Sequence, residues 1–182
     1  MKGVTALWRE LIAGGAFLIA VTAQFVEVPP DDDAATPLAT FCVAVMVSIA
    51  YAAMRKWDDA RYVWGWSAVA LGCLIAVLLA HNHYSNDLAQ LTARYTDEKR
   101  VVGTEFTAAG QAYASKNPHK VNSDLLFDAG GDVAKVWTQR SIQSAKNRLR
   151  YGYLACAPLV GAAVVASTQV AKLTRRRSRR RK

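Results

Sequence analysis

Long apolar stretches alternate with short charged ones along this chain. The apolar intervals cover Leu11–Val28, Pro37–Met54, Tyr62–His81 and Tyr151–Ala171. A bilayer core of roughly 30 Å takes about 20 helical residues to cross. A spanning segment must also satisfy its own amides and carbonyls where no water reaches, which a helix does and a lone strand does not. The pattern therefore predicts an all-α integral membrane protein with four transmembrane helices and a mainly helical polar domain between the third and fourth. Trp8, Trp57, Tyr62, Trp64, Trp66, Tyr84, Tyr151 and Tyr153 crowd the segment ends, where a ring can lie in the apolar boundary while its polar tip meets water. Residues 1–81 form a three-helix membrane region with short loops, 82–150 a polar extramembrane domain, 151–171 the fourth helix, and 172–182 a polybasic tail.

Two competing interpretations are weaker. Four buried helices of a soluble protein would need a larger core than 182 residues call for. A removed signal peptide would use Lys2 and Arg9, the following apolar stretch, and Val21-Thr22-Ala23 ahead of Gln24. Glu10 is unusual in such a leader, and the apolar stretch continues past that point to Val28.

Within the 82–150 region the helical pattern continues from His81 to Tyr95, with Tyr84, Leu88, Leu91 and Tyr95 on one stripe. The third span is thus expected to project beyond the membrane as a rod. Val101 to Phe106 mixes β-branched and aromatic residues around Gly103 and predicts a short extended piece or turn. Thr107 can cap a helix through Ala114 that ends before Asn117-Pro118, and Ser123 can cap another with Asp124 in its first turn. Gly130-Gly131 should end that element. Asp132 or Thr138 can start the next, which runs without proline from Thr138 to Pro158 and so leads into the fourth span. The outline is similar to the tetraspanin plan, with a short first outer loop and a large second one. The Cys-Cys-Gly element of that family is absent, and no function is carried across.

Basic residues orient the helices, because Lys and Arg in short loops stay on the cytoplasmic side. Lys2 and Arg9 precede the first span, the gap with Asp31-Asp32-Asp33 has no basic residue, and Arg55, Lys56 and Arg61 mark a return. Both termini are expected in the cytoplasm and 82–150 outside. That loop carries ten Lys or Arg, with Arg148 and Arg150 close to the fourth span on the unfavoured side. Seven basic residues after Thr174 outweigh them. The tail residues Lys172, Arg175, Arg176, Arg177, Arg179, Arg180, Arg181 and Lys182 are candidates for contact with an anionic inner leaflet, each gaining about 1 kcal/mol there. Most of the net charge of +9 belongs to this tail. Nucleic acid is not expected as a partner, since the tail has neither aromatic interleaving nor a folded domain beside it. Ala-rich spans and short turns suit a bacterial inner membrane.

The chemistry on offer is sparse. His83 and Asp87 share a helix face at i and i+4, with His119 as a distant third ligand. A solvated helix accounts for the same residues, so neither a metal nor a cofactor is expected. No serine sits in a nucleophile elbow, Gly130-Gly131-Asp132 lacks the lysine of a phosphate loop, and Cys42, Cys73 and Cys156 all lie inside spans. Nor do the spans carry central ionisable groups of the kind that mark transport paths. These features predict a non-catalytic accessory subunit or sensor acting through 82–150, by way of a protein partner or a second copy. The loop's apolar residues, among them Leu125, Leu126, Phe127, Val136 and Trp137, either close a small helical cap or await that partner. Small residues at Gly14-Gly15-Ala16, Ala50 to Ala53, Gly65 to Gly72 and Gly161 to Ala163 allow close helix approach. They leave an oligomeric, membrane-permeabilising effector as the alternative.

Overall fold

A computed structural model describes residues 26–179 of the chain. The described residues are mostly helical, and three of their helices are long and apolar enough to cross a membrane. They are α1 (Ala35–Lys56), α2 (Val63–Leu91) and α6 (Gln139–Arg179). The expected first span lies outside the described residues except for its end, where Val26–Val28 is not helical. Between α2 and α6 come β1 (Thr92–Tyr95), β2 (Glu98–Val101), α3 (Ala108–Lys116), α4 (Asn122–Asp128) and α5 (Val133–Val136).

The chain divides into two compact units. One holds the residues up to Glu27, Thr36–His81 and the chain from Leu154 onward; the other holds Val28–Ala35 and Asn82–Tyr153.

In the first unit, α1 accepts Pro37 because a first-turn residue needs no intrahelical donor. It ends on Arg55 and Lys56, whose charge suits the negative end of the helix dipole. A short 3₁₀ turn, Ala60–Tyr62, then leads into α2. Trp66 closes this corner by donating its Nε1–H to the Trp57 carbonyl at 3.3 Å and meeting the Trp57 ring edge-on. Trp66 and Ala70 of α2 bury against Ala166 and Leu173 of α6. Only 11% of the apolar window of α1, and the same share of α2, is buried, against 39% for α6. Phe41, Ile49, Leu71, Leu78 and Leu79 all stand exposed. Apolar faces of this extent are unfavourable in water and at home in lipid. Gly65 and Gly72 have open space where a side chain would stand, so these two glycines do not serve close helix contact among the described residues.

The second unit builds its own core. Ala93, Val102, Leu125, Leu126, Val136, Trp137 and Ile142 form one buried cluster. The helical stripe read from the sequence is present in Tyr84, Leu88 and Leu91, all buried, but it stops at Leu91. Thr92–Tyr95 is instead a strand, paired antiparallel with Glu98–Val101 so that Thr92 faces Val101 and Tyr95 faces Glu98. Thr96 takes a left-handed conformation at φ 53° to close this hairpin.

Farther along, Phe106 bridges to Trp137 and stacks on its ring at 6.0 Å. Thr107 caps α3 by accepting from the Gly110 N–H at 3.0 Å, and its own hydroxyl donates to the Lys135 carbonyl at 2.8 Å. Ser123 does not cap α4. That helix begins after Val121, whose N–H donates to Asp124, while the Ser123 hydroxyl accepts from the Arg94 N–H. Gly130 and Gly131, at φ 69° and 81°, end α4's turn as expected. Asp132 caps α5, and the Thr138 hydroxyl accepts from the Ser141 N–H at the start of α6. The latter helix keeps Pro158 inside it and runs past Ala171 to Arg179.

Gly110 offers a direct check on this core. Replacing a helical glycine with alanine ordinarily stabilises by up to about 1 kcal/mol. A Cβ here would stand 2.2 Å from the Val136 carbonyl oxygen. Gly110→Ala is therefore expected to destabilise the unit by roughly 1–3 kcal/mol, measured as a lower thermal midpoint and faster proteolysis within 82–150.

Candidate functional site

The polar unit is organised around α6. Two of its arginines, Arg148 and Arg150, flank the fully buried Leu149. Each grips one aspartate with both arms of its guanidinium. Arg148 donates to the two Asp87 oxygens at 2.7 and 2.6 Å, and Arg150 to those of Asp32 at 2.6 and 2.9 Å. Such forked pairs combine two charge-assisted bonds with a fixed geometry. Asp31, left-handed at φ 58°, adds a bond by accepting from the Val101 N–H at 3.4 Å. The acidic turn is thus a clasp on the unit.

The Asp87 carboxylate is engaged by Arg148, and the His83 Nε2 lies 3.6 Å from the same carboxylate. Among the described residues no group of three or more His, Cys, Asp or Glu could hold a metal ion. Hydroxyls in the apolar helices are also committed. Thr40, Ser48, Ser67 and Thr168 each donate to the carbonyl four residues earlier in their own helix.

Of the five apolar residues singled out for partner contact, Leu125, Leu126, Val136 and Trp137 are buried in the core cluster. Phe127 alone stands out, 65% exposed and lying against the Tyr95 ring at 6.0 Å. Close by in sequence, Asp128 receives both the Lys120 ammonium and the Tyr113 hydroxyl. The Lys120 bond lowers the Asp128 pKa and raises that of Lys120.

Beside the Gly130-Gly131 turn lies a polar cavity of about 490 Å³. It is lined by Arg100 of β2, residues 130–134 including Asp132, and Gln139, Ile142 and Lys146 of α6.

The basic end of α6 is divided by helical period. Gln169, Lys172 and Arg176 fall on one stripe and converge on Asp58, at 3.1, 2.9 and 2.7 Å. The Lys172 hydrogen bond, ahead of those from Arg176 and Gln169, holds the Asp58 carboxyl down from 3.8 to about 2. Lys172 and Arg176 are therefore engaged within the chain, whereas Arg175 and Arg177 are exposed. Arg179 closes the helix, and Arg180, Arg181 and Lys182 lie outside the described residues. The Asp58 anchor and the Gln169 amide had no local signal in the sequence, because the partners lie 111 and 118 residues apart.

Comparisons with protein-family models, with curated proteins and with solved structures give no match.

The Asp87 pair should respond unequally to loss of each partner. Arg148 is 53% exposed and can turn to water, while Asp87, at 6%, cannot. Arg148→Gln is expected to cost roughly 3 kcal/mol and Asp87→Asn roughly 1–2 kcal/mol, compared by thermal unfolding in detergent.

Acid should release the Asp58 anchor. Its native pKa lies below the unfolded value, so the stabilisation is complete above 3.8 and disappears as pH falls towards about 2. The Arg150 bond likewise lowers the Asp32 pKa, so that clasp weakens only below the ordinary carboxylate range. A pH series of unfolding midpoints should show this acid limb, and Asp58→Asn should flatten it.

Proposed function

We propose that this chain is a non-catalytic, multi-pass membrane protein, an accessory subunit or sensor that recognises its partner through the 82–150 region. In this reading the region lies outside a bacterial inner membrane and both termini lie in the cytoplasm. The supporting observation is a polar unit with its own closed core, from which Phe127 projects as the exposed member of the five apolar residues singled out in the sequence. Aromatic side chains at the edge of a folded unit are favoured anchors for protein contacts. The orientation draws support from the same pairs that hold the unit together. Arg148 and Arg150 are matched by Asp87 and Asp32, which removes the two charges that most oppose an outward position. Arg175 and Arg177, with the residues beyond them, supply the contact with an anionic inner leaflet.

A second reading has one observation in its favour. Gly65 and Gly72 lie open on α2, as they would if another copy of the chain packed there in an oligomeric pore. Ion leak from liposomes reconstituted with the pure chain would support it.

Two measurements test the main reading. Ser115→Cys should react with a membrane-impermeant maleimide in intact cells, whereas Arg177→Cys should react only after lysis; the reverse pattern would overturn the orientation. A protein that co-purifies stoichiometrically in mild detergent should be lost with Phe127→Ser at unchanged yield of the chain. Retention of that protein would remove Phe127 as the anchor.

A further inference from the structure

We propose that the cavity between β2, the Gly130-Gly131 turn and the start of α6 binds a phosphate group, either free or carried on a lipid headgroup. This deepens the reading of the polar unit as the recognising part of the protein and rests on it.

Charge is the first argument. One acid, Asp132, lines the cavity and a second, Glu98, lies beside Arg100, and each has a cation of its own. Glu98 meets the Arg100 guanidinium at 3.3 Å, and Asp132 caps α5 through one oxygen while its other lies 3.8 Å from Lys135. Lys146 is half-buried on the cavity wall and forms no ion pair or hydrogen bond among the described residues. A partly desolvated ammonium without a counter-charge is unfavourable, and an anion in the cavity would offset that cost.

Donor geometry is the second. Arg100 is held by its bonds to the Gly131 carbonyl and Glu98, both at 3.3 Å, and its cationic carbon lies 5.8 Å from the Tyr95 ring centre. Its buried Nε has no acceptor, so the guanidinium has donors in reserve. Gln139 and Ile142 of α6 also line the cavity, and the Gln139 amide adds a neutral donor to the charged ones. Gly130, at φ 69° with open space in place of a side chain, keeps the mouth clear. Donors thus come from Arg100 on β2 and from the Gln139 and Lys146 side chains on α6. A flat carboxylate presents two oxygens in one plane. The tetrahedral oxygens of a phosphate can meet donors that arrive from several sides, and its second charge answers Lys146.

The test uses the full chain purified in an uncharged maltoside detergent. Calorimetric titration with sodium phosphate, at ionic strength held constant with chloride, should show saturable binding. Lys146→Gln should weaken it roughly tenfold or more, and Lys116→Gln, at the exposed end of α3 and outside the cavity lining, should leave it within twofold. A parallel titration with short-chain phosphatidylglycerol identifies the source, since saturation by the lipid alone assigns the group to a headgroup. Arg100→Gln should weaken binding as well, but Arg100 also braces the hairpin and turn, so Lys146→Gln decides the matter if that variant does not fold. Absence of saturable binding to both ligands, or unchanged affinity in Lys146→Gln, overturns the proposal. The Phe127 experiment is independent of this one, so failure here leaves the partner-binding reading standing.

Discussion

The two arginine forks on α6 are the interaction on which the polar unit depends. Arg148 reaches back 61 residues to Asp87, and Arg150 reaches 118 residues to Asp32. Between them Leu149 is fully buried, so this one turn of helix joins charge pairing to packing. The pairs also fix rotation, because a slip of one residue on α6 would turn both guanidiniums away and bring a charged position inward. Breaking such a pair strands a desolvated carboxylate, which costs more than the pair itself contributes. Geometric specificity is the larger part of what they provide.

The presence of three long apolar helices was legible in the sequence because lipid imposes a simple rule on composition. Caps were legible where the chemistry is local. Thr107 and Asp132 both accept from an N–H two or three residues on. Ser123 had the same local chemistry available, but its hydroxyl is drawn to the Arg94 N–H 29 residues away. The hairpin was harder still. Tyr95 extends the helical stripe of Tyr84, Leu88 and Leu91, and its turn is closed by Thr96 in place of the glycine or asparagine that usually announces one. Period alone cannot end a helix when the next apolar residue happens to fall in register.

The candidate site was less legible for a related reason. Sequence marks apolar residues in a polar region but does not say which of them find partners at home. Leu125 and Leu126 of α4 meet Val136 of α5 and Trp137 just after it, and they consume one another. Phe127, adjacent to two of them, falls on the other side of a seven-residue helix. The cavity is similar in this respect: Arg100, Gly131 and Lys146 become neighbours only once the hairpin and the α4 turn are folded against α6.

Helical period changes the meaning of the basic tail as well. Counted along the chain, its residues form one block of charge suited to any anionic surface. On a helix that continues to Arg179, Lys172 and Arg176 recur one turn apart and share Asp58 with Gln169. Arg175 and Arg177 fall on other faces. One segment can therefore brace the turn between α1 and α2 with one face while presenting cations from the rest. A uniform basic tail tethered by charge alone would swing freely at a membrane surface. A helix end pinned at Asp58 instead fixes the faces on which Arg175 and Arg177 stand, so that in the proposed orientation any contact they made with an anionic leaflet would act together with this packing.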